Sequence, residues 1–351
     1  MSTLLTMNPK ATPRQPHSLR SWAIRISLGF LAFILTSAIG ILIAGAIARA
    51  NLYAAYPAPG QLVDVGGYRL HIACQGSGSG SSVILDAGTG ATSLDWALVQ
   101  PQVAKFSQVC TYDRAGVGWS NASPQPRNFA VMVEELHTLL ERAGLKGPFV
   151  LVGHSIGGIV TRQYAAKYPK QVAGLVLVDS AHEQQFRRFP KDVVKSTVAG
   201  IQQSRGFETL IGLGIPALFP ALVPLEPRLP KTAAQAYRAL MTSDPKHVTA
   251  GVAEIEELIR GGTKPVATLG NLPLVVLSHG HQDPGMVMTT TDAAQYERTW
   301  TQLQLELTGL SSRGQRVVAT QSGHSIQLDQ PELVVGAIRE VLTPRKSKPA
   351  P

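Results

Sequence analysis

Leu151-Val152-Gly153-His154-Ser155-Ile156-Gly157-Gly158 decides the reading of this 351-residue chain. It follows the apolar run Phe149-Val150-Leu151-Val152 and opens the amphipathic segment Ile159 to Tyr168. A strand, then Gly-x-Ser-x-Gly, then a helix is the setting of a sharp turn that carries an exposed serine at its tip. Side chains at 153 and 157 would collide with neighbouring backbone, so both positions call for glycine. Ser155 then projects at a helix N-terminus, where free amides and the helix dipole favour a developing negative charge. The plain alternative is a serine that only caps the helix.

A serine hydroxyl is a weak nucleophile at neutral pH and needs a base, itself oriented by an acid. Two downstream segments offer these groups. Pro273-Leu274-Val275-Val276-Leu277 reads as a buried strand running into Ser278-His279-Gly280-His281-Gln282-Asp283-Pro284. Gln315-Arg316-Val317-Val318-Ala319-Thr320 reads as the next strand, leading into Gln321-Ser322-Gly323-His324 and a helix that begins near Pro331-Glu332. His324 thus falls on a loop just past a strand end.

On these residues the chain resembles the α/β-hydrolase superfamily, in its serine esterase and lipase-like branch with a cap insertion. The resemblance covers about Gln61 to Leu342. Two more segments carry it: Val83-Ile84-Leu85-Asp86-Ala87-Gly88-Thr89-Gly90, with Ala87 where the family usually has His, and Tyr112-Asp113-Arg114-Ala115-Gly116-Val117-Gly118-Trp119-Ser120, with Ala115 inserted. The resemblance implies Ser155 as nucleophile, Asp283 as acid, His324 as base, and oxyanion-hole donors from the backbone N–H groups of Thr89 and Ile156. Asp179, at the end of the strand Gly174 to Val178, is the alternative acid, because some members place it there. Asp113 and Arg114 are expected to tie a turn together, and His154 to pack or hydrogen-bond. His279 and His281 flank Gly280 and suggest a metal pair, but a site needs three or four convergent ligands, so no metal is expected, and acyl transfer on these residues requires no cofactor. Serine at the elbow argues against the aspartate-nucleophile dehalogenases and epoxide hydrolases. His154 and Ile156 argue against prolyl iminopeptidases, which usually carry Gly-Gly-Ser-Trp-Gly.

The expected fold is α/β: a mostly parallel eight-stranded sheet with helices on both faces, a helical cap and an N-terminal transmembrane helix. Strands are expected near 61–65, 68–74, 82–87, 108–113, 149–153, 173–179, 273–278 and 315–320. Helices are expected near 94–104, 128–143, 156–168, 291–308 and 331–343. Residues about 183–268 interrupt the alternation as a cap insertion within a hydrolase domain over 57–343. Phe207 to Val223 is apolar but broken by Pro216 and Pro220, so it reads as broken helix, either lining an acyl pocket, resting on a membrane, or forming the cap's own core. Glu254, Glu256, Glu257 and Arg260 read as a solvated helix face.

Ile26 to Ile47 holds 22 residues without a charge, enough at about 1.5 Å per residue to cross a hydrocarbon core of about 30 Å. Lys10, Arg14, Arg20 and Arg25 precede it, and Arg49 alone follows closely. This asymmetry places the basic tail, 1–25, in the cytoplasm and the catalytic domain across the membrane. Cleavage near Ala50, after Ala48-Arg49-Ala50, is the alternative and would release a secreted domain. Residues 1 to about 56 are expected outside the fold, as is the basic tail 344–351.

The net charge of +9 owes five units to that first segment. No aromatic-interleaved basic patch suggests nucleic acid. The two cysteines, Cys74 and Cys110, fall on the second and fourth strands, neighbours in the sheet that the resemblance implies, so a disulfide can form in an exported domain. The expected function is hydrolysis of a small-molecule carboxylic ester with an apolar acyl or alcohol part by a Ser-His-Asp acyl-enzyme route. An acyltransferase or amidase on the same residues, or a non-catalytic binding module, are the alternatives.

Overall fold

The computed structural model describes residues 19–78, 80–282 and 289–343. Its centre is an eight-stranded sheet ordered β1-β2-β4-β3-β5-β6-β7-β8. The strands are β1 Gln61–Asp64, β2 Arg69–Gln75, β3 Val83–Asp86, β4 Val109–Tyr112, β5 Phe149–His154, β6 Val172–Val178, β7 Leu274–His279 and β8 Gly314–Ala319. The β1–β2 and β2–β4 pairs are antiparallel, and every other pair is parallel. Each expected strand is present within a residue or two. The central ones are legible because parallel strands covered on both faces become nearly continuous apolar runs. All six residues of β5 are buried.

Side chains alternate between the faces with the period of two that a strand imposes. Leu151, Leu175 and Val276 pack with Leu136, Ile159 and Tyr164 on one face. Val150, Val152, Val176 and Val275 pack with Val103, Val334 and Ile338 on the other. The helices that supply these contacts, with the segment preceding them, are α1 Leu19–Ala55, α2 Gln100–Val103, α3 Phe129–Arg142 and α4 Ile156–Lys167. The cap follows β6 with α5 Gln185–Arg188, α6 Lys191–Gly212, α7 Ile215–Leu218, α8 Lys231–Ser243 and α9 Lys246–Arg260. After β7 come α10 Thr290–Thr308, α11 Ile326–Asp329 and α12 Pro331–Leu342. The expected helix over 94–104 is instead a 3-10 turn at Ser93–Trp96 followed by the short α2, which Pro101 opens.

Cys74 and Cys110 are register partners on β2 and β4, and their sulfurs are bonded.

The N-terminal segment departs from expectation. α1 is long and apolar enough to cross a membrane, but it does not lie wholly outside the fold. It runs unbroken through Ala48-Arg49-Ala50 to Ala55, and Gly45 is buried where the helix meets the cap. A Cβ on Gly45 would lie 2.6 Å from the Leu213 carbonyl oxygen and 2.9 Å from the Gly214 Cα. Two glycines without side chains let the backbones approach. The Trp119 indole N–H then donates to the Tyr56 carbonyl at 2.8 Å, and the His71 ring hydrogen-bonds the Pro59 carbonyl, so the exit of the helix is tied to the sheet. The stretch 1–18 and the tail 344–351 lie outside the described residues.

Candidate active site

The elbow is built as its glycines require. Ser155 joins β5 to α4 with φ 51° and ψ −122°, a conformation that a residue with a Cβ adopts only where its surroundings impose it. A Cβ on Gly153 would lie 2.5 Å from the Gly157 carbonyl oxygen. One on Gly157 would lie 2.5 Å from the Asp86 and 2.6 Å from the Ala87 carbonyl oxygens. The start of α4 therefore sits directly on the β3 end, bringing Ile156 close to the Ala87-Gly88-Thr89 turn. Ser155, His324, Gly88 and Thr89 line one cavity of about 410 Å³. Its walls are mostly apolar and aromatic, with Phe186, Phe189 and Val193 from the cap and Tyr296 and Trp300 from α10, and include the polar Asp95, Gln185 and Thr197. A second cavity of about 320 Å³ shares Thr89, Thr197 and Ile255 with it and is lined also by Tyr237 and Met241 of α8.

His324 stands on the loop after β8, where the Gly-His signal places it. The carboxylate on its ring is Asp179: Asp179 Oδ2 lies 2.6 Å from His324 Nδ1. Asp283, the acid favoured from the sequence, lies outside the described residues. The position beside His324 Nδ1 is taken by the alternative acid instead, because β6 is the strand next to β5 and ends level with the elbow. Asp179 itself has φ 40°, which turns its carboxylate back across the strand ends.

Four donors converge on that carboxylate. Oδ1 accepts the His279 backbone N–H at 3.0 Å and the Trp300 indole N–H at 2.9 Å. Oδ2 accepts the His279 ring at 2.8 Å beside His324. Burial raises the Asp179 carboxyl, but the hydrogen bonds and charges of the two histidines outweigh burial and hold it well below the usual carboxylate range. His279 also reaches Glu297 at 3.0 Å through its other nitrogen. Burial pulls the His279 imidazole down, yet its hydrogen bonds to the two carboxylates push it up to about 10. Sequence reasoning considered His279 only as half of a metal pair. It missed Trp300, which lies 121 positions from Asp179.

His154 behaves as expected of a packing and hydrogen-bonding residue. Its Nε2–H donates to the His324 carbonyl at 3.0 Å, and Gln327 reaches its Nδ1 at 3.3 Å. Burial, then the neighbouring His324, lower its imidazole to about 3, so it stays neutral and fixes the backbone that carries His324.

The turn at Ala87-Gly88-Thr89 is held from behind by a buried charge cluster. Arg114 donates to the carbonyls of Ala87 and Gly88, both at 2.6 Å, and to Asp86. Its other face meets Glu254 of α9 at 2.8 Å through two nitrogens. Asp113 accepts from the Ser93 and Trp119 amides at 2.6 and 3.1 Å, so both residues tie turns together. Glu254 corrects the sequence reading. It is fully buried, pairs also with Arg127 at 3.0 Å, and accepts the Gly90 N–H at 3.2 Å. Glu254 turns inward because the Arg114 and Arg127 guanidiniums need a counter-charge, whereas Arg260 of the same helix stays exposed and pairs with Glu257.

Residues 83–337 match the model of the alpha/beta hydrolase family, and the chain belongs to that family. It is 27% identical over 277 residues to the Bacillus subtilis protein YqjL, covering 79% of this chain and 89% of that one. A probable hydrolytic enzyme of Pseudomonas aeruginosa has the same fold with a TM-score of 0.61 and 19% identity, covering 82% and 96% of the two chains. A thermophilic esterase of Thermogutta terrifontis aligns with a TM-score of 0.53 and 23% identity, over 81% and 99%. The protein is a hydrolase of this fold, with one apolar helix suited to a membrane at its N-terminus.

Proposed function

We propose that the protein is a membrane-anchored serine hydrolase that cleaves a carboxylic ester with an apolar acyl or alcohol part, through an acyl-enzyme on Ser155. The observation that carries this reading is the strained Ser155 facing the same cavity as His324, with Asp179 2.6 Å from the far nitrogen of that imidazole. In the proposed reaction the substrate carbonyl docks against the Thr89 and Ile156 amides. His324 takes the Ser155 proton as Oγ attacks, and Asp179 orients the ring and balances its charge. The proton passes to the leaving alcohol, and water then attacks the acyl-enzyme by the reverse path. General-base action is typically worth about 10²–10⁴-fold and one oxyanion donor about 10²–10³-fold. The mostly apolar and aromatic cavity walls favour an apolar group next to the ester.

The same reading has α1 as a retained anchor, with the basic N-terminus in the cytoplasm and the hydrolase domain on the opposite side. The unbroken helix through Ala48-Arg49-Ala50 and its packing on the cap support retention over cleavage there.

The test is labelling of the full chain in detergent with a fluorophosphonate, read by intact mass and peptide mapping. A single adduct on Ser155, lost in Ser155→Ala and strongly slowed in His324→Ala, is expected. A folded protein that takes no adduct, or takes it elsewhere, overturns the assignment.

A further inference from the structure

Four large apolar side chains stand exposed on one short stretch of the cap: Leu210 and Leu213 at the end of α6, and Phe219 and Leu222 just past α7, the last two about 61% and 64% exposed. No charged residue occurs between Glu208 and Glu226. An apolar patch of this kind on an otherwise polar surface marks a contact with a partner or a membrane. Its position indicates which. The stretch includes Gly214, the residue that Gly45 of α1 packs against.

The depth of Gly45 follows from the helix itself. Trp22 and Tyr53 are both exposed near the two ends of α1, and tryptophan and tyrosine favour the two faces of a bilayer. They are 31 positions apart along the helix, roughly 46 Å at about 1.5 Å per residue. That matches a bilayer of about 40–45 Å including headgroups. Gly45 lies eight residues short of Tyr53, about 12 Å deeper along the axis, and within the uncharged stretch 26–47. Lys246 of the cap stands over the Tyr53 ring, its Nζ 5.8 Å from the centroid, a cation at the level where headgroup phosphates lie. The Tyr56 and Pro59 carbonyls tie the exit of the helix to Trp119 and His71 of the hydrolase domain.

We propose that the cap segment from Leu210 to Leu222 is seated in the bilayer, at the boundary of headgroups and acyl chains, and that its partner is the lipid of the same leaflet that α1 leaves. This rests on the reading of α1 as a membrane span. The segment lies alongside α1 at the depth of Gly45, with Phe219 and Leu222 in contact with acyl chains. The cavity next to the Ser155 pocket is lined in part by Tyr237 and Met241 of α8, a helix that packs on α1.

Both native cysteines are bonded to each other, so a single added cysteine can be labelled cleanly. The full chain would carry an environment-sensitive nitrobenzoxadiazole label at Phe219→Cys, Leu222→Cys, Ile39→Cys in the span, or Lys170→Cys on the exposed turn that leads into β6. Each variant is reconstituted in phosphatidylcholine vesicles with and without doxyl-labelled lipid. Blue-shifted emission quenched by the doxyl lipid at 219, 222 and 39, with none at 170, is expected. Quenching at 39 while 219 and 222 behave like 170 overturns the proposal and leaves the anchor standing. No quenching at 39 overturns the anchor and this inference with it.

Discussion

Asp179 Oδ2 stands 2.6 Å from His324 Nδ1, joining the end of β6 to the loop beyond β8 across 145 positions of sequence. The acid that holds the imidazole therefore comes from the strand beside the elbow. Asp179→Asn keeps the volume and the Oδ1 contacts but offers the wrong partner to the histidine. The expected loss in kcat is about 10⁴-fold, with little change in KM. Asp283→Asn is expected to leave kcat near the wild-type value. Steady-state kinetics on both variants decide the matter. A dead Asp283 variant beside an active Asp179 variant would reverse the assignment of the acid.

His279 gives a pH prediction. Its folded value is pushed from the ordinary 6.5 to about 10 by Asp179 and Glu297, against burial. A raised imidazole stabilises the fold fully below the unfolded value, near 6.5, and loses that contribution as pH climbs through about 10. Wild type should therefore melt above His279→Gln by the widest margin at pH 6.5 and below. The margin should shrink steadily toward pH 10. Thermal melting of the detergent-solubilised chain across that range checks it, and a constant margin would show that His279 is neutral when folded.

The strand positions and the serine elbow were legible because their causes are local: glycine needs at 153 and 157, and apolar runs in strands buried on both faces. The acid was not. Asp179 and Asp283 both follow a strand, and nothing in either neighbourhood says which one faces His324. The deciding partners, His279 and Trp300, come from 100 and 121 positions away. Glu254 misled for the same reason. Its helical spacing with Glu257 suits a wet surface equally well, and the counter-charge that buries it, Arg114, lies 140 positions back. The docking of α1 at Gly45 was hidden because a single glycine in an apolar helix carries no sign of what it faces.

The Arg114–Glu254 pair predicts a coupling between the cap and the turn that bears Thr89. Burial raises the Glu254 carboxyl, but the charges and hydrogen bonds of Arg114 and then Arg127 outweigh it and keep Glu254 ionised. Glu254→Gln leaves two buried guanidiniums short of charge, at a cost of about 3–5 kcal/mol for a buried pair broken on one side. It also replaces the carboxylate that accepts the Gly90 N–H with a carboxamide that has a single acceptor oxygen. Lower melting temperature and a fall in kcat, up to about 10²-fold if one oxyanion donor loses its aim, are expected together at a temperature where the variant remains folded. Lower stability with unchanged kcat would show that the turn holds its shape without the cap.

The Cys74–Cys110 bond predicts both stability and compartment. It joins register partners on adjacent strands that are 36 positions apart in sequence. Closing a loop of that length removes freedom from the unfolded chain worth about 4 kcal/mol in the chain-entropy account. Dithiothreitol should lower the melting temperature of wild type and leave a Cys74→Ala/Cys110→Ala double variant unmoved, because that variant has no bond to reduce. A disulfide of this kind persists where the surroundings are oxidising, which is the side of the membrane opposite the basic N-terminus in the proposed topology. Alkylation of cell-derived protein under acid-quenched conditions should find no free thiol on the mature chain. Two free thiols on protein that melts like the reduced form would place the hydrolase domain on the cytoplasmic side and invert the proposed topology.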